Sequence, residues 1–341
     1  MAKHTHDKAR RFNSIPLSIL DLAPIIEGST ASDSFKESVK LAQHAEKWGF
    51  NRYWLAEHHN MPGIASSATS VLIGHIAEKT NYMRIGSGGV MLPNHATIVI
   101  AEQFGTLESL FPGRIDLGLG RAPGTDQATS YALRRTLHMG PEDFPMQVNE
   151  LQDYFKDKPT SRVRAIPGQG LDIPIWLLGS SDFSARLSAE KGLYFSFASH
   201  FAPQYLLHAL KLYRDNFKPS EALDRPYAMV GVNVIAADTD EKAKMIASSH
   251  QMQFLNIRKG ISSKLQPPVE NMDEIWTPLE KAAVEESLDP NTTIVGGPET
   301  VKRKLEKIQE VTQADELIIS SQIYHLEDRL RSYEIISELM D

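Results

Sequence analysis

Short apolar runs alternate with helix-period stretches along nearly the whole chain. The runs at 15–21, 51–57, 83–90, 114–120, 173–178, 194–198, 227–237 and 316–320 are apolar at most positions, as strands buried on both faces are. Between them, apolar residues recur three and four apart over 34–48, 66–78, 97–110, 142–155, 182–191, 203–217, 240–257, 298–311 and 325–339. In 34–48 the inward face is Phe35, Val39 and Ala42, and Gly49 stops the helix. In 203–217 it is Leu206, Leu210 and Tyr213; in 298–311 it is Val301, Leu305 and Ile308. Strand then helix, eight times over, predicts a parallel sheet with right-handed crossovers, and eight units make a (β/α)8 TIM barrel, an α/β fold. An open doubly wound sheet is the rival.

Two connections break the rhythm, after the fourth and seventh strands. The first spans 121–141. The second, 258–291, holds Gly260, Pro267, Pro268, Pro278 and Pro290 among polar residues. A loop of that length is expected as a lid, with an ordered surface excursion as the plainer alternative. Residues 1–13 are polar and mixed in charge, so a flexible leader is expected there. No repeat or low-complexity linker divides the chain, and 1–341 is read as one domain.

Composition narrows the function. The chain has 341 residues, 41% of them hydrophobic and 23% charged, enough for a large core. A net charge of −7 does not suit nucleic acid or an anionic membrane. No apolar run is long enough to span a bilayer, and no signal peptide is visible, so a cytoplasmic location is expected. The absence of cysteine removes disulfides, thiolate metal sites and a cysteine nucleophile.

The candidate chemistry gathers at the carboxyl ends of the strands, where such folds hand side chains to a ligand. The second strand ends in Glu57-His58-His59. Imidazole titrates near neutrality, so this spot suits proton transfer, although a lone histidine is more often a satisfied rim residue. The third strand leads through Ser87, Gly88 and Gly89, where paired glycines either admit a flat ligand or make a barrel bulge. The fourth ends in Gly120-Arg121, a guanidinium placed for an anion or for a surface ion pair. The fifth gives Gly179-Ser180-Ser181 at a helix start, a phosphate cradle or a simple serine N-cap. Together they describe a planar cofactor with an anionic tail lying across the barrel mouth beside an imidazole. Other patterns carry less. Gly118-Leu119-Gly120 lacks the third glycine of a dinucleotide fingerprint. His4-Thr5-His6 sits in the leader, and Gly296-Gly297-Pro298 reads as a helix start.

These residues, in this order, resemble the flavin-dependent luciferase-like monooxygenase family, which includes the bacterial luciferase subunits. The resemblance rests on Trp54-Leu55-Ala56-Glu57-His58-His59-Asn60, on the segment from Gly86 to His95, on Ala101-Glu102-Gln103, and on the segment from Pro112 to Arg121. It implies a (β/α)8 barrel and reduced FMN supplied by a separate flavin reductase. Molecular oxygen would add at the flavin C4a carbon to give a peroxide that acts on a small organic substrate. It implies His58 as the proton-transfer residue, and Glu57 is expected to hold its tautomer. It further implies a non-prolyl cis peptide at Gly88–Gly89 beneath the ring, and a phosphate held by Arg121 and Ser180. Gly120 stands where bacterial luciferase has a cysteine, and Gly179-Ser180 where it has a Glu-Ser step, so neither light emission nor an aldehyde substrate is implied. The family also suggests a homodimer through outer helices of the second and third units.

Three rivals stay open. One is a deazaflavin-dependent dehydrogenase, whose longer anionic tail would call on Arg121, Arg134 and Arg135. Another is a flavin-binding protein without turnover. The third is a metal-dependent hydrolase using Glu57, His58, His75 and His200, although no metal is expected.

Overall fold

The computed structural model describes residues 6–134, 141–158, 160 and 162–341. Eight parallel strands form the barrel: β1 (Ile15–Asp21), β2 (Arg52–Leu55), β3 (Arg84–Ser87), β4 (Ile115–Gly120), β5 (Ile175–Gly179), β6 (Tyr194–Phe197), β7 (Ala228–Ala236) and β8 (Glu316–Ser320). Each pairs with the next, and β1 pairs with both β2 (Ile19 opposite Tyr53) and β8 (Ser18 opposite Ile318), which closes the ring. The open-sheet rival is thereby excluded. The helices are α1 (Ala31–Trp48), α2 (Thr69–Glu78), α3 (Thr97–Leu110), α4 (Gln127–Arg134), α5 (Phe144–Phe155), α6 (Asp182–Lys191), α7 (Leu206–Asp215), α8 (Asp240–Arg258), α9 (Pro278–Ser287), α10 (Pro298–Thr312) and α11 (Leu326–Glu338). Local chemistry sets their ends. Thr30 and Asp33 form a capping box at the start of α1, and Gly49 and Gly192 take the left-handed conformation after α1 and α6.

The strands are apolar throughout because both faces are covered. Tyr53, Leu55, Ile85, Leu117, Leu177, Phe195 and Val230 pack outward among the helices. Leu20, Trp54, Ala56, Trp176, Tyr194, Met229 and Ile318 pack inside the barrel. Below them lies a charged floor. Arg52 reaches Asp116 (2.6 Å) and Glu316 (2.8 Å), Arg84 reaches Asp116 (2.7 Å), and Tyr227 donates to Glu316 (2.9 Å). Arg52, Asp116 and Glu316 are fully buried. Burial works against the Asp116 carboxylate, but the two guanidiniums outweigh it and hold its pKa below the usual range.

Three regions differ from expectation. Residues 6–13, read as leader, are tied down: Arg11–Phe12 pairs antiparallel with the start of β1, Phe12 is buried, and Asp341 N–H donates to Arg11 O (2.7 Å). Residues 1–5, including His4 and Thr5, fall outside the described residues. Strand Thr293–Gly296, where the sequence pattern predicts no strand, pairs with the upper half of β7 (Thr293 opposite Asn233). The 258–291 segment is not a bare loop, because it contains α9. Its signal was present in Thr277-Pro278-Leu279-Glu280, a capping box with proline at the first helical position. The segment also crosses to the β1–α1 connection, where Glu27 N–H donates to Leu265 O (2.8 Å) and Lys264 Nζ to Ser29 O (2.8 Å).

Candidate active site

Side chains alternate across a strand, so Trp54 and Ala56 enter the barrel while Tyr53 and Leu55 face the helices. Continued past the strand end, this parity sends His58 to the barrel lumen and Glu57 to its outer side. The hydrogen bonds agree. Glu57 accepts from His59 Nε2 (2.9 Å), His95 Nε2 (2.9 Å) and the Met91 N–H (3.1 Å). The expectation that Glu57 holds the tautomer of His58 is therefore not met. Glu57 instead ties the end of β2 to the loop after β3, and it acts on His58 through its charge. Burial raises its pKa, but the donors from His95, His59 and Met91 outweigh burial and keep it ionised. Glu57→Gln should cost roughly 1.5–3 kcal/mol, the range for a charged hydrogen bond, because an amide group would oppose two ring N–H groups. A urea midpoint equal to that of the parent protein would show the clasp to be dispensable.

His58 is half-buried, and its Nδ1 is buried without a hydrogen-bond partner. Burial lowers its pKa, opposed by the Gly124 carbonyl and the Glu57 charge. The ring is neutral at pH 7 and able to accept a proton.

The β3 end is crowded. A Cβ on Gly88 would lie 2.7 Å from Leu20 Cδ1, and one on Gly89 would lie 2.8 Å from Gly118 O. Their peptide is cis. Ser87 departs from expectation: its hydroxyl donates to Gly118 O (2.8 Å) and accepts from Gly118 N–H (2.9 Å). That side chain clasps β3 to β4 and has no hydrogen left for a cofactor.

The residues expected to hold an anion come together. The Arg121 guanidinium lies 4.1 Å from the Phe183 ring in the first turn of α6, and no ion pair to it occurs among the described residues. Ser181 is the N-cap residue of α6, yet its side chain makes no capping hydrogen bond. The first-turn amides keep their donors, which a simple serine cap would have claimed. Gly179 admits this turn, since a Cβ there would lie 2.5 Å from Ser184 Cβ. Gly179, Ser180, Ser181 and Arg121 therefore share one corner of the mouth, with Asp182 drawn to His208 (3.2 Å).

The metal constellation does not come together. His75 lies on the exposed side of α2, and Glu57 and His58 diverge. Arg135 falls outside the described residues. His95, marked in the sequence only as the end of the segment from Gly86 to His95, shares Glu57 with His59 because the fold brings the loop after β3 to the end of β2.

A family model described as luciferase-like monooxygenase matches residues 16–314. The chain is 52% identical over 329 residues to a luciferase-like monooxygenase of Escherichia coli (strain K12), covering 96% of this chain and 98% of that one. It is 32% identical over 343 residues to the N-acetyl-S-alkylcysteine monooxygenase of Bacillus subtilis (strain 168), covering 95% and 98%. Among solved structures it is similar to apo-MsnO8, with a TM-score of 0.90 and 33% identity over 95% of this chain and 98% of that one. Two distant structures share the fold. One is the oxygenating constituent of 3,6-diketocamphane monooxygenase from Pseudomonas putida in complex with FMN (TM-score 0.71, 17% identity, covering 95% and 97%). The other is an F420-dependent secondary alcohol dehydrogenase (TM-score 0.70, 12% identity, covering 96% and 100%).

Proposed function

The chain belongs to the luciferase-like monooxygenase family, and on that premise we propose that it is an FMN-dependent monooxygenase of a small organic molecule. One observation carries the reading: an arginine with no carboxylate partner among the described residues stands beside the uncapped first turn of α6, at the same barrel mouth that His58 enters. The residues fit a phosphate-bearing flavin. Arg121, Ser180, Ser181 and the α6 amides would hold the phosphate, and Gly179 lets the backbone approach it. Gly88 and Gly89 present backbone without side chains toward the ring. When bound, reduced FMN supplies the oxygen chemistry. The protein orients it, keeps water away, and moves a proton at the unpartnered Nδ1 of His58.

On this reading a separate reductase supplies the reduced flavin. The 258–291 segment covers the β1 side of the mouth as a lid. Val71 on α2 and Leu110 on α3 are exposed apolar residues that suit a homodimer through these helices.

The test is anaerobic titration with reduced FMN and, separately, reduced deazaflavin. Oxygen and a panel including N-acetyl-S-alkylcysteines and ketones follow. Preference for deazaflavin, or a protein that binds neither, overturns the reading. Arg121→Ala should weaken FMN roughly 10- to 150-fold through lost charged hydrogen bonds of about 1.5–3 kcal/mol. An unchanged dissociation constant would remove Arg121 from the phosphate site.

A further inference from the structure

One titratable ring at the barrel mouth has no part in the site described so far. His200 follows β6, which stands four strands from β2 in the ring of eight, so it comes to the mouth from the side opposite His58. The residues proposed to hold the phosphate follow β4 and β5, and the paired glycines follow β3. On the flavin reading, the arc above β6 and β7 is left to the substrate.

The fold builds His200 into the lumen. Met229 packs inside the barrel while Val230 and Val232 pack among the helices, so Gly231 faces inward. A Cβ on Gly231 would lie 2.5 Å from His200 Nδ1 and 3.2 Å from its Cε1, so the imidazole occupies the space that a side chain on β7 would fill. Asn233 Nδ2 donates to His200 O (2.6 Å) and Ser199 Oγ donates to Gly231 O, which pins the turn to β7. The neighbouring Phe201 ring stands edge-on to His200 at 4.9 Å and is exposed, as is Tyr205 in the next turn. Exposed aromatic rings beside a lumen lined by Leu20, Ala56, Met229 and Ile318 suit an apolar molecule.

A residue that merely filled the space over Gly231 would be apolar, yet an imidazole stands there. Its Nδ1 is buried without a partner among the described residues, while the rest of the half-buried ring reaches the mouth. A buried N–H without an acceptor is rarer than an unfilled acceptor, so the proton belongs on Nε2. Burial pulls the pKa down to about 4, and the ring is neutral at pH 7. No guanidinium, ammonium or carboxylate among the described residues acts on it. His200 therefore offers one N–H donor and no charge. A neutral donor in an apolar setting satisfies an uncharged acceptor and leaves a carboxylate without compensation.

We propose that His200 binds the substrate by donating its Nε2–H to an uncharged acceptor oxygen on an otherwise apolar molecule, and so selects against anions. The proposal rests on the flavin reading for the arc it assigns to the substrate, whereas the donor itself belongs to the protein without cofactor. An oxygen held above β6 and β7 leaves the rest of the molecule to extend across the lumen. Gly231 sets the place of the ring, so a side chain there acts through His200.

The test uses cyclohexanone as the uncharged acceptor, methylenecyclohexane as its oxygen-free counterpart and cyclohexanecarboxylate as the anion. In cofactor-free protein labelled with ¹⁵N-histidine at pH 7, His200 should show the Nε2–H tautomer, its signals being assigned by their loss in His200→Gln. Cyclohexanone should move the Nε2 signal, and the other two compounds should leave it in place. His200→Leu should weaken cyclohexanone binding roughly 3- to 10-fold, the range for one neutral hydrogen bond. His200→Gln, whose amide N–H has a similar reach, should stay within about twofold of the parent protein. Gly231→Ala should weaken binding as His200→Leu does, with the imidazole still present. The FMN dissociation constant should be unchanged in each variant. An Nδ1–H tautomer, an unmoved signal, equal binding of methylenecyclohexane, or equal losses in the leucine and glutamine variants overturns the proposal whatever the flavin does. A His200 response to cyclohexanone in protein that ignores every flavin would sink the flavin reading and support the donor.

Discussion

Replacing His58 with alanine is expected to lower turnover roughly 10²- to 10⁴-fold, the range for a positioned proton-transfer group. The FMN dissociation constant should change by less than about tenfold, because the phosphate corner is built from Arg121 and the α6 start. The separation follows from geometry: His58 enters the lumen from β2, while the residues proposed to hold the phosphate follow β4 and β5. The pH profile offers a second check. Burial depresses the His58 pKa below the ordinary 6.5, so the ring stays a competent acceptor through neutrality. The acid limb of kcat/KM should fall below pH 6.5, with activity lost as protonation fills Nδ1. Steady-state rates across pH 5–9 with stopped-flow FMN binding would measure both. A variant that turns over at the parental rate would exclude His58 from the chemistry.

Asp116→Ala is expected to be the most destabilising single change, by about 3–5 kcal/mol. Its carboxylate answers Arg52 at 2.6 Å and Arg84 at 2.7 Å and accepts from Trp54 Nε1 at 3.2 Å, all inside the barrel floor. Removal leaves two buried guanidiniums with less than their compensation, and Glu316 can answer only Arg52. The pH dependence has a definite sign. The folded-state pKa of Asp116 is depressed, so its contribution is present above the ordinary carboxylate pKa near 3.8 and is lost as pH falls through the lower folded value. Urea unfolding at pH 7 would read the loss. Refolded Asp116→Ala protein should still bind FMN, since the floor lies at the opposite end of the strands. A loss below about 1 kcal/mol would mean that the charged floor adds little.

The same floor shows what pattern reading could and could not reach. The barrel was legible because each strand is covered on both sides, which turns it into an unbroken apolar run, and because Gly49 and Gly192 end their helices where the periodicity stops. The meeting of Arg121 with Gly179-Ser180-Ser181 was legible too, since these residues lie at strand ends and a parallel barrel collects such ends on one rim. Helix α9 was within reach through its capping box, but five nearby glycines and prolines masked it. So was the divergence of Glu57 from His58, because strand parity separates neighbours.

Other features had no local signature. Arg52, Asp116 and Glu316 are charged residues inside apolar runs, and only closure of the ring turns three isolated anomalies into one neutralised cluster. Ser87 resembled a cofactor ligand until the register of β3 against β4 gave its hydroxyl to Gly118. His59 and His95 stand in two different loops, and nothing in their spacing says that both rings meet Glu57. Periodicity and caps act within a few residues, so the chain declares its own strands and helices. Which side chains meet depends on how the barrel closes and on where a glycine such as Gly179 leaves room, and those are properties of the assembled fold.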